Sequence, residues 1–142
     1  MNHQVGNYEI ATNGSQVSQG YEPDITIKNS NGEVIYILES EQKTDRKAFI
    51  GDVIKAEKYA QENNFSPVLV IVMKEFNNTT VKQIADHLKP YITWLSHIIS
   101  DGLKLKKVII ISDNCYKKSF DQQEVICSEN FLRRAEIIEI KL

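Results

Sequence analysis

Asp24 follows Pro23, and fifteen residues later the run Glu39-Ser40-Glu41-Gln42-Lys43 sets two carboxylates and an ammonium at alternate positions. Alternate side chains of a β-strand share a face, so Glu39, Glu41 and, where the strand persists, Lys43 line up on one side. Ile35 and Ile37 precede them on that side and read as core, while Val34, Tyr36 and Leu38 point the other way. Two carboxylates this close at the end of an apolar strand repel each other, and a cation between them removes that cost. A hard divalent ion such as Mg²⁺ takes oxygen ligands from one or two carboxylates together with water and phosphate. An ion held there would generate hydroxide and stabilise charge on a phosphate under attack, with a lysine orienting the water or neutralising the developing charge. The plainer alternative is a set of solvated acids paired to Lys43, Arg46 or Lys47. The ordered succession of Pro-Asp, turn, apolar strand and ExExK favours the chemical reading.

Local patterns supply the elements that must position these groups. Asp24 to Lys28 alternates as a strand, Asn29 to Gly32 is a hairpin turn, and Val34 to Glu41 is the return strand. Asp24 therefore lies near the end of the strand that carries Glu39 and Glu41. Thr44 or Asp45 caps a helix over residues 46–63, whose apolar stripe contains Phe49, Ile50, Val53, Ile54 and Ala60. Val68 to Met73 is a continuous apolar run of strand length, as expected for a strand covered on both faces. A second helix spans residues 79–99, with Pro90 predicted to kink or split it. Lys107 to Ser112 is a further buried strand, residues 113–130 are polar and turn-rich with a short helix near Ser128 to Arg134, and Ala135 to Lys141 is the last strand. Strands alternating with helices predict an α/β fold, one mixed sheet with helices against its faces.

The 142 residues suit a single domain with its own core, residues 1–20 forming a loosely structured lead-in with one short strand around Tyr8 to Ala11. A net charge of −2 excludes bulk electrostatic attraction to nucleic acid, so any such contact must come from local lysines or a bound metal. Cys115 and Cys127 lack disulfide-like or zinc-like spacing and fit a reducing compartment. The opening residues show no secretory signal and no apolar run approaches a membrane span, so the expected location is cytoplasmic, away from membranes.

On Pro23-Asp24 and the ExExK run, the sequence resembles the PD-(D/E)xK nuclease superfamily over about residues 21–112. Glu41-Gln42-Lys43 matches the family's ExK literally. Glu39-Ser40-Glu41 matches the ExE form, which leaves the lysine to come from the following helix at Lys55. The resemblance implies a restriction-endonuclease-like core, a central mixed sheet of four to five strands flanked by helices. It implies Asp24, Glu39 and Glu41 as metal ligands, Lys43 or Lys55 as the catalytic lysine, and Mg²⁺ as cofactor, with Mn²⁺ able to substitute. The implied activity is metal-dependent hydrolysis of DNA phosphodiester bonds in restriction, repair or recombination, by a homodimer or with a partner subunit. The alternative is a catalytically inactive nuclease-like module that binds a protein or nucleic acid. Lys55-x-x-x-Tyr59 also stands where RecB-like members carry Gln-x-x-x-Tyr, with Tyr59 expected as a half-buried packing residue. One departure is the opening: the family's first helix carries a further acid, and here only Glu9 or Glu22 is offered for that role.

Other chemistry-bearing residues read as ordinary structure. Asp113-Asn114 follows a buried strand as a turn, Lys104, Lys106, Lys107, Arg133 and Arg134 read as surface, and Tyr91 and Trp94 as core or a subunit contact.

Overall fold

In the computed structural model, which describes residues 9–11, 20–42, 44–76 and 78–140, a mixed sheet runs in sequence order from one edge to the other. Two apolar runs set its centre, β4 (Val68–Met73) and β5 (Lys107–Ser112), and every residue of β4 is buried. The third parallel strand is β3 (Val34–Glu41), beside β4. β2 (Ile25–Lys28) pairs antiparallel with β3, a short β1 (Glu9–Ala11) pairs antiparallel with β2, and β6 (Ala135–Glu139) closes the far edge against β5. The five strands β2 to β6 match the expected mixed sheet, and β1 extends it by one.

Parallel neighbours need crossovers, and helices provide them. α1 (Arg46–Asn63) joins β3 to β4, and α2 (Val81–Ile98) joins β4 to β5. Two crossovers of the same hand in the same direction place both helices on one face. Phe49, Val53 and Ala56 of α1 and Ile84 and Leu88 of α2 share a core with Ile37, Ile71 and Ile110. The link from β5 to β6 contains α3 (Asp113–Asp121) and α4 (Glu129–Leu132), whose Tyr116 and Phe131 cover the other face with Leu38, Val70 and Ile109.

Caps fix the helix limits. Asp45 accepts the Lys47 N–H at the start of α1, and Asn64 ends it in the left-handed conformation, φ 54°. Thr80 and Gln83 exchange side-chain and backbone bonds in a capping box at the start of α2.

The structure departs from the sequence reading in four places. Lys28 pairs with Val34 but Ile27 with Tyr36, so Ile35 is the extra residue of a bulge. The bulge puts Val34 in the α1–α2 core and turns Ile35 and Tyr36 to the opposite face. Residues 113–121, read as turns, form α3, because Ser112 caps it by accepting the Cys115 N–H and Tyr116 is anchored in the core. Pro90 lies inside an unbroken α2, on an exposed turn where the Asp86 carbonyl deprived of its donor can be hydrated. Tyr91 and Trp94 are exposed, since α2 docks through Ile84, Leu88 and Ile92 on its other side. No helix among the described residues is long and apolar enough to cross a membrane.

Candidate active site

The β2–β3 register places Asp24 opposite Glu39. Ile25 pairs with Leu38, so the residue before Ile25 meets the residue after Leu38. The Asp24 N–H donates to Glu39 Oε1 at 3.0 Å, and the Ser40 N–H donates to Asp24 Oδ2 at 2.8 Å. Each carboxylate uses one oxygen in this exchange, which fixes both side chains at the strand ends and leaves the second oxygen of each for a ligand.

Beyond the bulge, β3 alternates strictly. Glu39 and Glu41 sit beside Ile71 and Met73 of β4, on the face covered by α1, and Ser40 faces the other way. The site therefore lies at the C-terminal ends of the parallel strands, where open α/β sheets form their ligand crevices. Lys43, the other candidate lysine, lies outside the described residues.

α1 contributes two groups. Lys55 is exposed, and its positive charge acts on Glu39, favouring the ionised carboxylate there. Asp52, one turn earlier, is 9% exposed and meets the Glu41 carboxyl. Asp52 was not singled out from the sequence, although the spacing contains it. Phe49, Asp52, Val53, Ala56 and Tyr59 follow helical periodicity, so an acid at position 52 falls on the buried stripe. The neighbouring Tyr59 is 5% exposed, more deeply buried than expected.

Electrostatics tie these residues into one cluster. Burial pushes Glu39 up to about 7, helped by the charges of Asp24 and Glu41 and opposed by the Asp24 N–H and Lys55. Asp52 is held far above the usual carboxylate range, first by burial, then by its hydrogen bond to Glu41 and by the charges of Glu41, Glu39 and Asp24. Tyr21 is 5% exposed, packs on Tyr59 with ring centroids 6.0 Å apart, and titrates far above its ordinary range through burial and the charges of Glu39, Asp52 and Asp24. No periodic signal in the sequence pointed to Tyr21.

Four carboxylates, ranging from the exposed Asp24 to the buried Asp52, form a donor set suited to a hard divalent ion. Among the described residues, no three His, Cys, Asp or Glu side chains are arranged to hold a metal ion as they stand. An ion would have to draw the free oxygens inward. The chemistry of the donors fits such an ion, because the acids repel one another and the buried Asp52 Oδ2 has no hydrogen-bond partner. Asp24, Glu39 and Glu41, the ligands expected from the sequence, belong to one cluster with Lys55. Glu22 is exposed next to Pro23, and the side chain of Glu9 lies outside the description.

Compared with protein-family models, with curated proteins and with solved structures, the chain matches none.

Proposed function

We propose that this chain is a divalent-metal-dependent nuclease domain with a restriction-endonuclease-like core, hydrolysing DNA phosphodiester bonds in the cytoplasm. The observation that carries this reading is the meeting of Asp24, Glu39, Glu41 and Lys55 at one end of the sheet, from three separate elements. Asp24, Glu39 and Glu41 are the residues that would hold the metal. When bound, Mg²⁺, or Mn²⁺ in its place, supplies activation of water and charge neutralisation at the scissile phosphate. Lys55 presents an ammonium on the solvent side of the acids, where it draws a phosphate oxygen towards the cluster and offsets charge that develops on it. The Asp24–Glu39 exchange keeps two carboxylates from rotating away, so the ligands are partly organised before substrate arrives. A homodimer, or a partner subunit, would let both strands be cut and a target be recognised.

The test is cleavage of plasmid and single-stranded DNA with Mg²⁺ or Mn²⁺ by the wild type and by the Asp24→Ala, Glu41→Ala double variant. Cleavage that disappears in the variant supports the site; equal cleavage by the cleanly purified variant removes it.

A second reading, an inactive nuclease-like module that binds protein or nucleic acid, is favoured by the carboxylates' not being gathered around a common point. Calorimetric titration with Mn²⁺ separates the two, since the inactive module binds no metal saturably.

A further inference from the structure

α1 buries two acids, and the structure treats them in opposite ways. Glu57, 4% exposed, accepts the N–H groups of Lys104 and Leu105 and the Gln61 side-chain amide, at distances from 2.6 to 3.1 Å. Its carboxylate is fully employed in tying the helix to the loop before β5, which is a structural role.

Asp52, about one and a half turns earlier, has no such partners. Its Oδ2 is buried without a donor, and the group it meets is another acid, Glu41. Two carboxylates facing each other away from water need a proton or a cation between them.

A second observation points to the same spot. Tyr21 comes from the segment before β2, is 5% exposed, and has a hydroxyl with no hydrogen-bond partner. That hydroxyl lies within electrostatic reach of Glu39, Asp52 and Asp24, and no hydrogen bond ties it to their oxygens. A phenol is both donor and acceptor, and leaving it unsatisfied beside several acceptors costs free energy unless a further group bridges them. Among the described residues, four buried side-chain polar atoms lack a partner, and two of the four, Tyr21 Oη and Asp52 Oδ2, belong to this one cluster.

We propose that Asp52 supplies a further carboxylate to the divalent-cation site, and that the Tyr21 hydroxyl holds a water bound to the same ion. The inference rests on the metal-dependent reading above and goes beyond it, because neither residue belongs to the Asp24, Glu39, Glu41 set. It accounts for an acid on the buried stripe of α1, for its lack of a donor, and for a buried hydroxyl without a partner. A hard ion with water in its shell supplies partners of the right kind to both groups.

The experiment is Mn²⁺ titration of the full chain by calorimetry, with Asp52→Asn, Tyr21→Phe and the Asp24→Ala, Glu41→Ala double variant alongside. Tb³⁺ luminescence excited through tyrosine is the second readout. Asp52→Asn is expected to weaken Mn²⁺ affinity at least tenfold while the metal-free protein melts no lower than wild type, since the neutral amide can still donate to Glu41 as the protonated acid does. Tyr21→Phe is expected to keep the fold and lose at least half of the sensitised Tb³⁺ emission. Wild-type binding with unchanged affinity in Asp52→Asn overturns this proposal alone and leaves a proton shared with Glu41 as the role of Asp52. A lower metal-free melting temperature for Asp52→Asn also overturns it, by making Asp52 structural. If Asp52→Asn does not fold, undiminished emission from Tyr21→Phe has the same consequence. A wild type that binds no Mn²⁺ overturns the metal-dependent reading itself.

Discussion

Asp24 and Glu39 hold each other across the β2–β3 pair: the Asp24 N–H reaches Glu39 Oε1 at 3.0 Å, while Asp24 Oδ2 takes the N–H of Ser40 at 2.8 Å. Residues fifteen apart in the chain are thereby fixed as neighbours by the ladder and by each other's side chains. The arrangement organises two acids at a cost, because it brings negative groups together in a partly buried place.

That cost has a pH signature. Glu39 ordinarily titrates near 4.5, and burial pushes it up to about 7 in the folded chain, so the folded state holds the proton more tightly than the unfolded one. The stabilisation is complete below about 4.5 and is lost as pH rises through about 7. Melting temperatures of the metal-free protein should fall across that window, and Glu39→Gln should flatten the fall. Added Mg²⁺ should raise the melting temperature more above the window than below it. A flat wild-type profile would show that burial and the neighbouring acids do not raise Glu39.

Lys55 and Lys43 can be separated by kinetics. Lys55 acts on Glu39, so Lys55→Ala should lower cleavage about 10²-fold, the scale seen when one group that stabilises transition-state charge is lost. Mn²⁺ affinity should hold or rise, because a competing positive charge has gone. Lys43→Ala should have the smaller effect. Greater loss from Lys43→Ala would transfer the catalytic role to the lysine next to the ExE run.

Glu57 offers a stability test distant from the chemistry. Glu57→Ala strands the N–H groups of Lys104 and Leu105 in a part-buried loop. Each stranded group costs about 1–3 kcal/mol, so denaturant unfolding should show a loss of about 2–6 kcal/mol. A change within experimental error would mean that water replaces the carboxylate there.

Pro90 is the residue in α2 least suited to a helix interior. Proline is about 3 kcal/mol worse than alanine there, offset in part by its restriction of the unfolded chain. Pro90→Ala should therefore stabilise the protein by about 1–3 kcal/mol, visible as a higher denaturation midpoint. A destabilised variant would show that the proline ring packs usefully where α2 passes it.

Much of the fold follows from patterns that a strand or helix expresses locally. The limits of α1, β4 and β5 coincide with the expected segments, because a capped amphipathic stretch and an uninterrupted apolar run each determine their own structure over a few residues. The shared face of Glu39 and Glu41 is of the same kind, since the pleat repeats every two residues. It survives the bulge at Ile35 because the irregularity comes before Ile37.

Other features depend on contacts between segments far apart in the chain, and only the tertiary structure decides them. The bulge is a property of two strands in register, so the strand containing Ile35 does not encode it alone. α3 has little apolar surface of its own and is held by Tyr116 against a sheet face assembled from distant segments. Asp52 looks like one acid among many in α1 until the crossover lays that helix over the end of β3 and sets it against Glu41. Tyr21 is an aromatic just beyond a polar lead-in until Tyr59 and the acids close around it. The sequence by itself determined which residues could carry the chemistry on each strand, because side-chain direction is a local consequence of the pleat. Which carboxylates and hydroxyl face one another was decided by packing, because burial and electrostatic repulsion exist only once separate elements exclude water between them.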